Sequence, residues 1–165
     1  MPYGVSVSPS AGSGAAAVFQ NLQFAWASPA GQPLLESGSI LIQDSAFSTP
    51  NLTNGCYLLV IPTGAVQLAD DAGVTFSANA FTGATWSISP SNAHCALNGP
   101  ASAPVTVSSG GASQQVTLNM SFNSAWAGKT LRIWLKARNT NYASGVWQQF
   151  GIFTVTPYCE WNFET

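Results

Sequence analysis

The sequence predicts an all-β fold, an antiparallel sandwich of about ten short strands, and three observations carry that prediction. Apolar residues recur with period two, most clearly where Leu131, Ile133, Leu135 and Ala137 alternate with Arg132, Trp134, Lys136 and Arg138. Clusters of Gly, Pro, Ser and Asn separate the apolar runs. No long stretch carries a convincing helical period. With 165 residues and 46% hydrophobic content, the chain is long enough for one substantial core and short for two. One domain is therefore expected over residues 1–156, followed by a C-terminal tail, 157–165.

Val5-Ser6-Val7 reads as a first strand, and the turn formers from Ser8 to Gly14 as a loop. From Val18 to Trp26 the chain alternates, with Val18, Gln20, Leu22, Phe24 and Trp26 on the inner face. Ser28 to Pro33 breaks it, and Ser39 to Asp44 forms a short strand in which Ile40 and Ile42 share a side. Residues 45–54 are loop. Cys56 to Ile61 is apolar on both faces, as a central strand covered on each side would be. Pro62-Thr63-Gly64 leads into Ala65 to Leu68, and Asp70-Asp71-Ala72-Gly73 turns the chain again. Trp86-Ser87-Ile88 is a weak strand. Val105 to Val107 and Gln115 to Phe122 flank Ser108-Ser109-Gly110-Gly111, a hairpin signal, with Val116, Leu118 and Met120 on one side of the second arm. The basic strand and a last strand over Val146 to Val155 complete the domain.

Charged residues make up 6% of the chain, against about 25% in an average soluble domain. Such a surface suits a secreted or surface-displayed β protein, or a subunit largely covered by neighbours. The net charge of -2 argues against a nucleic-acid binder. No apolar run approaches the roughly 18 residues of a membrane span. The N-terminus has no basic region followed by an apolar core, so export would be directed by a segment outside this sequence, or Met1 was added to a mature chain. The three cysteines permit one internal bridge and leave one thiol over.

Six landmarks in order, Val7-Ser8-Pro9-Ser10-Ala11-Gly12-Ser13-Gly14, Asn54-Gly55-Cys56-Tyr57-Leu58, Asp71-Ala72-Gly73, His94-Cys95-Ala96-Leu97-Asn98-Gly99, Ala125-Trp126-Ala127-Gly128 and Gly145-Val146-Trp147-Gln148-Gln149, resemble those of an immunoglobulin-like repeat found in large secreted bacterial surface proteins. The resemblance covers residues 4–156. It implies an immunoglobulin-like β-sandwich, an extracellular or cell-surface location and no catalysis. Cys56 and Cys95 occupy its two cysteine landmarks, so the resemblance implies a bridge between them, leaving Cys159 as the odd thiol.

Sites of chemistry find little material. Zinc needs four ligands, and three Cys with a lone His94 lack the paired spacing. A Cys95 thiolate beside His94 would be a nucleophile, but adjacent strand residues face opposite ways and Cys95 is assigned to the bridge. Asp70-Asp71 could begin a calcium loop, but the next acids are distant and a turn is the simpler reading. No cofactor is expected. Asn51-Leu52-Thr53 and Asn119-Met120-Ser121 match the N-glycosylation pattern, the second reading as an ordinary outward strand Asn.

Two features point to partners. The stripe Arg132, Trp134, Lys136, Arg138 is either a solvated face, a protein contact or a glycan contact. Trp26, Trp86, Trp126 and Trp147 are expected in the core or at corners. In the tail, Cys159, Trp161 and Phe163 alternate with Glu160 and Glu164; it is free, docked on its own domain or docked on a neighbour. The expected function is a non-enzymatic structural module that self-associates into a surface assembly or filament, with the stripe and tail as the contact. The alternative is a carbohydrate-binding module.

Overall fold

A computed structural model describes residues 1–61, 65–78, 81–82, 85–86, 89–98, 106–108 and 111–158. Two sheets pack face to face. In the first, β1 (Tyr3–Ser8), β3 (Gln20–Ala27) and β11 (Ser113–Phe122) lie side by side. The far edge of β11 is shared by β10 (Thr106–Ser108) at its start and β9 (Cys95–Leu97) at its end. The second sheet runs β2 (Ala11–Ala15), β13 (Gln148–Thr156), β12 (Thr130–Asn139), β4 (Leu35–Asp44), β5 (Cys56–Val60), β6 (Val66–Leu68), β7 (Phe81–Thr82), β8 (Thr85–Trp86). Among the described residues all pairings are antiparallel except β2 with β13, which is parallel. The all-β sandwich expected from the alternation is what the chain forms.

Period-two alternation puts the apolar set of each strand into one core. Leu22, Phe24 and Trp26 of β3 and Val116, Leu118 and Met120 of β11 face Ile40 and Ile42 of β4, Leu58 and Val60 of β5, and Leu131, Ile133 and Leu135 of β12, all buried. Phe122 meets Phe153 at 5.0 Å between ring centres. Each such side chain contributes about 1.5–3 kcal/mol by leaving water. The sheets come so close at one point that a Cβ on Gly38 would sit 2.6 Å from the Trp26 ring, which leaves glycine as the residue that fits.

Three expectations change. The stretch Ser8 to Gly14 is not a loop: after Pro9 the chain crosses sheets and Ala11–Ala15 adds a strand beside β13. Its small residues, turn-like in sequence, are there because Gly12 lies against Phe153 and Pro9. β4 begins at Leu35 rather than Ser39, held early by Arg138 opposite Ser37 in register. Val18 is exposed rather than inward, because β3 starts only at Gln20, after a positive φ at Ala17.

The bridge Cys56–Cys95 is formed, with Cα atoms 5.9 Å apart, and joins β5 of the second sheet to β9 of the first. Beside it, Asn92 donates from Nδ2 to the carbonyls of Gly55 and Ala69, both at 3.1 Å, and accepts at Oδ1 from the amides of His94 and Cys95. The buried Gln43 clamps the 45–54 loop, donating to Thr49 O and accepting from Asn51 N. Trp26 and Trp126 are buried as expected, while Trp147 is half-buried; the Trp86 side chain lies outside the described residues. No helix is long and apolar enough to cross a membrane among the described residues.

Candidate functional site

Alternation also sets what β12 shows outward. Arg132, Trp134, Lys136 and Arg138 lie on the outer face, opposite Gln43, Leu41, Ser39 and Ser37 of β4. All four are half-buried rather than freely solvated. Two acids at the ends of β4 take up much of the charge. Glu36 accepts a two-pronged contact from Arg138, with Nη2 to Oε1 at 2.8 Å, and Asp44 accepts from Lys129 Nζ at 2.6 Å. The Glu36 hydrogen bond raises the Arg138 pKa. The Lys129 hydrogen bond, helped by the Ala46 amide, lowers that of Asp44. Arg132 is held by the Ser45 carbonyl and Gln149 Oε1, each at 3.3 Å.

Lys136 differs from Arg138, the other cation of the cleft. No carboxylate pairs with it among the described residues. Its ammonium sits 5.0 Å above the Trp147 ring, and burial, then the neighbouring Arg138, lower its pKa. It borders an open cleft of about 260 Å³ with Ser37 and Ser39 beneath, Tyr57, Leu59 and Phe76 on one side, and Lys136, Arg138 and Ser144 on the other. Tyr57 meets Phe76 edge-on at 5.2 Å and Trp147 at 6.0 Å, so the rings brace one another. Arg138 stacks over Tyr142 at 5.4 Å. Among the described residues the lining holds no carboxylate, imidazole or thiol, so these residues offer rings, hydroxyls and positive charge.

The first sheet presents the opposite chemistry. Its five strands contain no Asp, Glu, Lys or Arg. On its outer side Tyr3, Val5, Ala25, Ala27, Ser113 and Gln115 surround a shallow groove of about 480 Å³. Tyr3 and Val5 are 44% and 46% exposed. Further along, Asn119 joins Asn21 at 2.9 Å and Asn98 at 3.1 Å in a ladder across three strands. The Asn119 amide is thus engaged by its neighbours rather than simply directed to solvent, whereas Asn51 is exposed in its loop.

His94 and Asp71 form the remaining polar cluster. His94 Nδ1 lies 3.0 Å from Asp71 Oδ1, which also accepts from Ala93 N, and the imidazole packs 4.9 Å from Trp126. Cys95 is oxidised, so the thiolate that a Cys-His pair needs is absent. Asp70 accepts from the Val74 and Thr75 amides, which lower its pKa, and closes a turn with Gly73 at positive φ. No group of three or more potential metal-ligating side chains is gathered among the described residues.

Lys136 and Arg138, singled out by the alternation, are brought together in the cleft. Trp134 and Arg132 do not line it, and the Trp134 indole nitrogen is buried without a partner among the described residues. Cys159, Glu160, Trp161, Phe163 and Glu164 lie outside the described residues. Tyr57, Phe76 and Trp147 were legible as aromatic residues but not as one wall, because Tyr57 lies in β5, Phe76 bridges Ala69 beyond β6, and Trp147 immediately precedes β13, so only the folded chain brings them together. No protein-family model matches the chain, and no curated protein sequence matches it.

Proposed function

We propose that the protein is a non-enzymatic, extracellular structural module of the immunoglobulin-like kind that self-associates into a surface assembly. The observation that carries this reading is the segregation of charge. Every Asp, Glu, Lys or Arg within a described strand belongs to the second sheet, and the first sheet has none. Burying an unpaired charge costs several kcal/mol, whereas a face of Ala, Val, Tyr, Ser and Gln can be covered at little electrostatic cost. A second copy laid on the groove of Tyr3, Val5, Ala25 and Ala27 would bury the exposed apolar side chains of β1. The disulfide fits an oxidising compartment.

Sedimentation velocity across a concentration series tests the reading. The native chain should shift to larger species as concentration rises, and Val5→Lys with Ala27→Lys should abolish the shift while leaving circular dichroism unchanged. A chain that stays monomeric at millimolar concentration would overturn it.

A further inference from the structure

We propose that the cleft between Tyr57 and Lys136 binds an acidic saccharide, with the sugar ring against Tyr57 and its carboxylate on the Lys136 ammonium. The site lies on the second sheet and is independent of the self-association reading. Three features select the ligand. Aromatic faces and edges stack on sugar C–H groups, and Tyr57 is held for this by Phe76 at 5.2 Å and Trp147 at 6.0 Å. The serine pair Ser37 and Ser39 supplies hydroxyls beneath the cleft, suited to a polyhydroxylated ligand. Lys136 supplies the anion site: of the two cations lining the cleft, Arg138 holds the Glu36 carboxylate, and Lys136 holds none among the described residues. A half-buried ammonium next to a second cation gains most from an incoming anion, and burial already disfavours its charged form.

The geometry favours a saccharide over a peptide. The cleft sits over β12, β4 and β5, each paired on both sides. No strand edge is open beneath it, so an extended peptide could gain no main-chain ladder there. A sugar needs none. The volume of about 260 Å³ is close to the lower end of small-ligand pockets, roughly 300 Å³, which suits one or two sugar units at a time.

Titration calorimetry with the full chain, at a concentration where it is monomeric, decides the matter. The probes are oligogalacturonate, its carboxyl-reduced neutral counterpart, and a synthetic peptide of residues 157–165. Oligogalacturonate should bind saturably and weaken with salt, and the neutral oligomer should bind at least about tenfold more weakly. Lys136→Met, which keeps the stem over Trp147, should lose roughly ten- to a hundredfold in affinity, and Lys136→Arg should restore most of it. Equal binding of the acidic and neutral oligomers, unchanged affinity in Lys136→Met, or binding of the peptide alone would overturn the assignment.

Discussion

Asn92 uses its full side-chain hydrogen-bonding capacity, two donations and two acceptances, and thereby ties the start of β5, the end of β6 and the start of β9. Asn92→Ala should therefore cost about 2–4 kcal/mol in urea unfolding, since it leaves partly buried carbonyls and amides unpaired; a loss below about 1 kcal/mol would show that water replaces the side chain. The reverse holds at Gln114. It is 2% exposed, it lies on the inner side of β11 opposite Trp26, and neither of its amide atoms has a partner among the described residues. Gln114→Leu removes an unmet desolvation cost and should raise stability by about 1–2 kcal/mol in the same assay. Destabilisation would mean that the amide is satisfied in solution.

At the scale of elements, β4 and β12 are matched by charge as well as by register. Asp44 titrates below its ordinary 3.8, first through its hydrogen bond to Lys129. A carboxylate depressed on folding stabilises above its unfolded value, and that contribution disappears as pH falls through the lower folded value. The stability difference between the native chain and Asp44→Asn should accordingly be full at pH 6, shrink below about pH 4 and vanish in stronger acid; a difference independent of pH would contradict the pairing. Such pairs show what was legible. Leu131, Ile133, Leu135 and Ala137 fixed the inner face of β12 unaided, because alternation is a local property. The neutralising acids, 102 and 85 residues away from their cations, are long-range outcomes of strand order. β2 escaped notice for another reason: a five-residue strand of Ala, Gly and Ser has no apolar pattern and exists because β13 offers an edge.

For the whole molecule, the disulfide ties two sheets together, and the division of charge gives them outer faces of different chemistry. The bridge closes a separation of 39 residues between the sheets, and replacing both Cys56 and Cys95 by Ala should lower stability by about 4 kcal/mol. The far-ultraviolet spectrum should stay that of a sandwich, since the core strands do not depend on the bridge; loss of the β signature would contradict this. In the proposed assembly the uncharged sheet meets a second copy while the charged sheet stays open. Hydroxyl-radical footprinting at low and high protein concentration tests it most directly, because Tyr3 marks one face at 44% exposure and Tyr142 the other at 73%. Labelling of Tyr3 should fall as concentration rises while that of Tyr142 holds. Unchanged labelling of Tyr3, or loss confined to Tyr142, would contradict it.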